Sequence, residues 1–254
     1  MFCTQLVSLG PHHEWSGDGH NKLTAIGFLI WAVRDVFSGK WLGMWVVPNN
    51  CCGATIAYLY LSLVYCYGGI TLQTTMDCGS ETTQVYGFAN ALQEYFSPHL
   101  STDELPAHRF MWSVNNITIE HGWLQLHLQW GVNVKVFWEV GHEVYNDMDP
   151  HQFELVRWLW LKLIQQELDQ LMDHFNNHVV RRDKNKKLSS GVSPNVAFAL
   201  YDQYGGEDCL QRVDQEVVRK LMEDIGGAVF DSLDFTALML QNVWAVFSAM
   251  LPLM

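Results

Sequence analysis

Apolar positions follow two rhythms along the first half of the chain. Between Trp15 and Asp35, the segments WSGDGHNKL and IGFLIWAVRD set apolar runs against Gly, Asn and Asp punctuation, which predicts two strands joined by a turn. Phe37-Ser38-Gly39-Lys40 makes the next turn, and KWLGMWVV reads as a third strand ended by Pro48-Asn49-Asn50, so an antiparallel meander is expected. Both faces of these strands are mostly apolar, as they are where helices cover both sides of a sheet. From Thr55 to Tyr67 the residues Ile56, Leu59, Tyr60, Leu63, Val64 and Tyr67 recur at spacings of three and four, predicting a helix closed by Gly68-Gly69. ITLQTTMD then reads as a fourth strand, CGSET as a loop, and 83–96 as a helix stopped by Ser97-Pro98. A strand from Arg109 to Val114 precedes a helix beginning near Asn115 or Asn116. The order β-β-β-α-β-α-β-α predicts a mixed sheet sandwiched by helices, an α/β architecture.

Periodicity turns ambiguous at Trp123–Trp130. In WLQLHLQW, Leu124, Leu126, Leu128 and Trp130 alternate with Gln125, His127 and Gln129, a period of two that suggests a strand. Beyond Tyr145 the pattern is helical, with a long tract from His151 to His178 that Asp149-Pro150 introduces. A basic segment follows, and the last fifty residues run from acidic to apolar as one or two helices. These shifts divide the chain into a short remnant over 1–14, an α/β core over 15–145, a helical extension with the basic segment over 146–205, and a C-terminal helical segment over 206–254. The opening MFCTQLVSLGPHHEW reads as a truncated start and not as a secretory signal, having neither a basic region nor a long apolar one.

Composition sharpens the picture. The 254 residues are 49% apolar and only 17% charged, and no Asp, Glu, Lys or Arg occurs from Trp41 through Met76, so that stretch belongs to a domain interior. The net charge of −12 excludes tight sequence-independent adhesion to phosphate backbones by the surface as a whole. It leaves room for a nucleic-acid enzyme whose acids hold metal while a local basic strip supplies the grip. The six cysteines show no C-x-x-C spacing and read as free thiols of a reducing compartment, with Cys66 and Cys78 as small core residues. Ala54–Tyr67 is too short to span a bilayer, and Phe235–Met254 contains Gln241, Asn242, Ser248 and Pro252, which favours a terminal amphipathic helix over a membrane anchor. No membrane partner is expected, although a membrane-associated structural role for that terminus is a third reading.

Three acids fall where strands end or a helix begins: Asp18 in the first strand, Asp77 at the close of the fourth, and Glu120 in the helix after the fifth. A divalent ion for phosphoryl transfer needs hard oxygen ligands from a few carboxylates, with other positions left to water and phosphate. Carboxylates meeting at strand ends would supply them; with 27 acids in the chain, spacing alone equally admits three solvated loop acids. On the expected helix, Asn116 lies one turn before Glu120, where its amide can touch a phosphate, orient a ligand or cap the helix. Ser80 and Glu81 are either partners of Asp77 or parts of a turn, His20 is a loop donor, and Arg34-Asp35 closes a hairpin. Arg181, Arg182, Lys184, Lys186 and Lys187 form the only concentrated positive charge, which suits DNA contact, a solvated helix end or a nuclear-import patch. His174 and His178 stand four apart on a helix without a third ligand in register. No H-E-x-x-H, G-x-S-x-G, P-loop or G-x-G-x-x-G occurs.

WSGDGHNKL, TTMDCGSET, NNITIEHGW and FNNHVVRRDKNKKLSSGVSPN occur in this order, and with them the chain closely resembles the integrase core-domain proteins common in fungal genomes. That family belongs to the DDE integrase and transposase superfamily. The resemblance runs from about Trp15 to Met254. It implies an RNase H-like mixed five-stranded sheet flanked by helices, with a helical C-terminal extension. It also implies that Asp18 of DGH, Asp77 of DCGSET and Glu120 of NITIE are catalytic ligands for two Mg2+ (or Mn2+) ions. Such ions activate water or a DNA 3′ hydroxyl for in-line attack on a phosphodiester. Asn116 and the five basic residues from Arg181 to Lys187 would contact DNA, or RNA. Pairing two DNA ends implies a homo-oligomer, and the setting is nuclear or cytoplasmic. The resemblance places Glu120 on a helix, and the helix is adopted here over the period-two reading. Cys51, Cys52, His121, His127 and Trp41 stand where the family often carries arginine. They suggest mutational decay, and with it a second reading: a catalytically silent integrase-like module that binds nucleic acid or protein.

Overall fold

The computed structural model describes residues 8–20, 27–47, 53–101, 105–111, 116–141, 144–146, 148–183 and 190–226. Cys3, Cys51, Cys52, Lys184, Lys186, Lys187, the expected strand residues 112–114 and the apolar segment Phe235–Met254 lie outside them.

Strands β1 (Glu14–His20), β2 (Leu29–Asp35) and β3 (Trp41–Val47) form the expected antiparallel meander. The chain then crosses over through helix α1 (Gly53–Tyr67), whose end is set by Gly68 at φ 68°, a left-handed conformation that glycine adopts without a Cβ penalty. The run expected as one fourth strand divides into β4 (Gly69–Ile70) and β5 (Gln73–Asp77). β5 lies parallel to β1, and after helix α2 (Thr83–Phe96), β6 (His108–Met111) lies parallel to β5. The sheet order β3-β2-β1-β5-β6, with β2 antiparallel to its neighbours, is a mixed five-stranded sheet flanked by helices, as the resemblance implies.

Alternation along the strands builds two cores. Trp15, Trp31, Val33 and Met76 face α1 and α2, while Ile30, Ala32, Met44 and Val46 face the opposite helical layer. That second layer consists of α3 (Ile117–Leu126), a π-helical turn over His127–Gly131, α4 (Val132–Gly141) and α5 (Pro150–Asn177). The alternation in WLQLHLQW is therefore not a strand. Leu124 and Leu128 are 54% and 70% exposed, and the buried positions Ile119, Trp123, Leu126, Trp130, Val134 and Trp138 recur at three and four. α1 lacks charge because the sheet, α2 and the C-terminal α7 (Gln215–Asp224) all pack around it. The short α6 (Pro194–Ala199) and β7 (Gln211–Arg212), paired with β4, complete this side. Residues beyond 206 are sewn to the start of the chain: Glu207 N–H donates to the Leu9 carbonyl at 2.9 Å, and Cys209 N–H to that of Pro11 at 3.0 Å. Cys66 and Cys78 are exposed, contrary to the expected core positions, because Cys66 lies on the outer side of α1 and Cys78 just beyond the end of β5.

Edge strand β3 presents backbone groups that no sixth strand satisfies, and α5 closes them with two amides. Gln165 accepts from Val46 N–H at 2.9 Å and donates to the Met44 carbonyl at 3.0 Å; three turns on, Asn176 accepts from Trp41 N–H at 2.8 Å and donates to its carbonyl at 2.9 Å. The first asparagine of FNNHVV is thus a strand mimic. Asn176 is buried whereas Gln165 is partly exposed. Asn176→Ala is expected to cost about 3 kcal/mol by stranding two buried backbone groups, against about 1 kcal/mol for Gln165→Ala. Urea unfolding checks this, and equal losses at the two positions would contradict it.

Candidate functional site

The acids of β1 and β5 meet through register. Ser16 pairs with Thr75, and carrying that parallel register two residues on sets Asp18 beside Asp77. Gly17, next to Asp18, faces the other side of the sheet, where a Cβ would come within 2.9 Å of the Met76 side-chain tip. Ser16, Asp18 and His20 point toward α3.

The placement of α3 brings in the third acid. Ahead of its first turn, the buried Asn116 amide accepts from Ser16 Oγ at 2.5 Å and donates to the Gly17 carbonyl at 3.3 Å. Arg34 donates to the Thr118 carbonyl at 2.7 Å and to the Gly39 carbonyl through Nε and Nη2, with its guanidinium 4.6 Å from the Trp41 ring centroid. Gly122 lies against that ring so closely that a Cβ would stand 2.3 Å from Trp41 Cζ2. Glu120 lies between these anchors, exposed on the first turn, with its N–H donating to the Asn116 carbonyl at 3.2 Å. Trp123, one turn later, donates from Nε1 to Asp18 Oδ2 at 2.8 Å and stacks on His20 with centroids 4.7 Å apart.

Electrostatics tie the three acids into one group. Burial pushes Asp18 up to about 7, and the charges of Asp77 and Glu120 push the same way against hydrogen bonds from Trp123 and the Gly19 backbone. Asp77 is raised by burial, then by Glu120 and Glu81, with the Asn116 amide opposing. Asp77 Oδ1 is buried and, among the described residues, accepts no hydrogen bond. Among the described residues, however, no three His, Cys, Asp or Glu side chains form a closed ligand set. Strand register and the packing of α3 place the carboxylates near one another, while their mutual repulsion and the commitment of Asp18 to Trp123 keep them from meeting at a single point. The donor set still fits a hard divalent cation: all its ligand atoms are carboxylate oxygens, one of them buried without a partner, and each charge raises the affinity of its neighbours for positive charge.

The Asn116 side chain makes no cap bond; it is buried against β1 through Ser16 and Gly17 and lies near enough to Asp77 to oppose the rise in its pKa. Ser80 and Glu81 form a helical turn, Glu81 near enough to Asp77 to raise its pKa. Asp35 closes its hairpin as a buried acceptor for His12 N–H, Ser38 N–H and Ser38 Oγ, its carboxyl pushed up to about 6 by burial. Trp41 belongs to the core beside Arg34, so an arginine there would bury a second guanidinium against the first. Arg181 and Arg182 are exposed beyond α5, at a loop base where Val180 N–H donates to the Val192 carbonyl at 3.0 Å and Gly191 N–H to that of Val180 at 2.9 Å. His174 and His178 stack at 5.8 Å, and no third ligand joins them among the described residues. Reading by residue missed Ser16, Trp123 and the reach of Arg34 to α3, because each acts only across segments distant in sequence. It also missed Arg109, a half-exposed cation 3.5 Å from Glu14.

A family model described as Integrase core domain matches residues 7–190, more than half of the chain and all three acids. No curated protein matches the chain.

The Asp18 shift has a defined sign. Its folded value of about 7 lies above the ordinary 3.8, so the contribution of Asp18 to stability is most favourable below about pH 4 and is lost as pH rises through 7. Without divalent ions, Asp18→Asn is expected to raise stability at pH 8 by about 2–4 kcal/mol, a gain that vanishes below pH 4. Denaturant titrations from pH 4 to 8 check this, and parallel profiles for the two proteins would contradict it.

Proposed function

The chain belongs to the integrase core domain family, and from that premise we propose that it cleaves and joins polynucleotide phosphodiesters as a transposon-derived DDE enzyme. Integrase core domains are catalytic domains of the integrase or transposase type that bind nucleic acid and generally use divalent metal ions. In the proposed reading Asp18, Asp77 and Glu120 hold two Mg2+ or Mn2+ ions. The observation that carries it is the approach of these three acids from β1, β5 and α3, with Trp123 of the Glu120 helix bonded to Asp18 and with Asp77 and Glu120 close enough to raise Asp18, around a buried Asp77 oxygen without a partner among the described residues.

Bound divalent ions supply Lewis-acid activation of the attacking oxygen and charge relief at the leaving oxygen. The protein's own part is placement. Register brings Asp18 and Asp77 side by side, Asn116 lies against Asp77, and Glu120 stands on the exposed first turn of α3, from which it would complete the set around an ion. Burial makes the isolated carboxylates resist ionisation, so the site favours a cation that restores their charged form. Arg181 and Arg182, with Lys184, Lys186 and Lys187, are proposed to grip DNA, and RNA is the alternative strand. The active form is proposed to be a homo-oligomer, in the nucleus or cytoplasm. No helix among the described residues is long and apolar enough to cross a membrane.

A second reading, the silent and decayed module, is favoured by the net charge of −12, which opposes polyanion binding. Calorimetric titration with Mn2+ at low salt separates the two. Wild type is expected to bind and Asp77→Asn to bind at least tenfold more weakly. No binding by either protein, with or without duplex DNA, would overturn the catalytic reading in favour of the silent one.

A further inference from the structure

Among the described residues, Trp123 makes the one side-chain hydrogen bond to Asp18. Its N–H lies 2.8 Å from Asp18 Oδ2. The ring is buried, stacked face to face on His20 with planes 19° apart, and tilted at 47° against Trp41 with centroids 5.4 Å apart. Gly122 presses the same stretch of α3 onto Trp41, so the indole cannot turn without displacing the helix. The chemistry of the group suits one task. An indole N–H donates and never accepts or ligates, and it carries no charge to compete with a cation. It therefore fixes the direction of a carboxylate while leaving its negative charge in place, as a metal ligand requires.

We propose that Trp123 is the positioning residue for metal capture at Asp18, committing Oδ2 through its N–H so that Oδ1 is the oxygen offered to the ion. This rests on the reading of Asp18 as a metal ligand. It also couples the two elements of the site, because the helix that carries Glu120 holds the ligand on β1 in place. Glu120 and Asp18 then move together, and a shift of α3 alters both.

Two measurements test it on the full chain. Trp123→Phe keeps an aromatic ring in the stack but removes the donor; its Mn2+ affinity is expected to fall about tenfold or more. In the wild type, the indole 1H–15N resonance that shifts on Asp18→Asn is expected also to shift on saturation with Mg2+. Unchanged Mn2+ affinity in Trp123→Phe overturns the proposal, as does the lack of any indole resonance that responds to Asp18→Asn. Should Trp123→Phe fail to fold, the wild-type spectrum decides: an indole that reports Asp18→Asn but ignores Mg2+ overturns it. Wild type that binds no Mn2+ while its indole still reports Asp18→Asn overturns the metal reading itself, and Trp123 is then a structural clamp.

Discussion

Everything at the candidate site depends on how closely α3 lies against the sheet. Asp18 and Asp77 are neighbours by strand register, but Glu120 belongs to a helix that ordinary sheet packing would hold about 10 Å away. Three contacts draw it in: the Asn116 amide enters β1 at Ser16 and Gly17, Arg34 takes the Thr118 carbonyl, and Gly122 gives up its side chain to the face of Trp41. They fall at both ends of the first turn and hold it from two directions. A side chain at 122 or an unpaired Arg34 would lift the helix and separate the acids.

Gathering acids in this way is unfavourable, and the fold shows what offsets it. Asp18 is raised to about 7 because it is buried beside Asp77 and Glu120, so the native state carries a cost at neutral pH. The rest of the domain is built to bear that cost. α1 buries an almost uninterrupted apolar surface between the sheet, α2 and α7, and on the other side α5 both fills the second core and completes the edge of β3 through Gln165 and Asn176. Stability lies in the layers, away from the acids, which are free to be arranged for charge and not for packing.

The elements whose residues follow their own periodicity were legible in advance. Helix α2 begins and ends at the expected residues, the three-strand meander forms with one register shift at Val33/Arg34, and Asp149 caps α5 by accepting from His151 N–H at 2.9 Å. The alternation in WLQLHLQW misled because Leu124 and Leu128 lie on the exposed side of a helix, so hydrophobicity there does not report burial. Cys66 and Cys78 misled for the same reason. The acids were legible through family resemblance and their positions at strand ends, not through spacing, since a chain with 27 acids offers many such triples.

The sequence by itself determined the α/β layering, the bounds of α2 and the start of α5, and the strands on which Asp18 and Asp77 stand, because these follow from local propensity, caps and the repeat of apolar residues. Only the tertiary structure decided that Trp123 reaches Asp18, that Asn116 faces inward, that Arg34 anchors α3 and that Asn176 closes β3. Each of those bonds joins residues more than eighty positions apart. No local signal in a chain specifies the partner of a donor that far away; the stacking of two helical layers on one twisted sheet brings the pairs together.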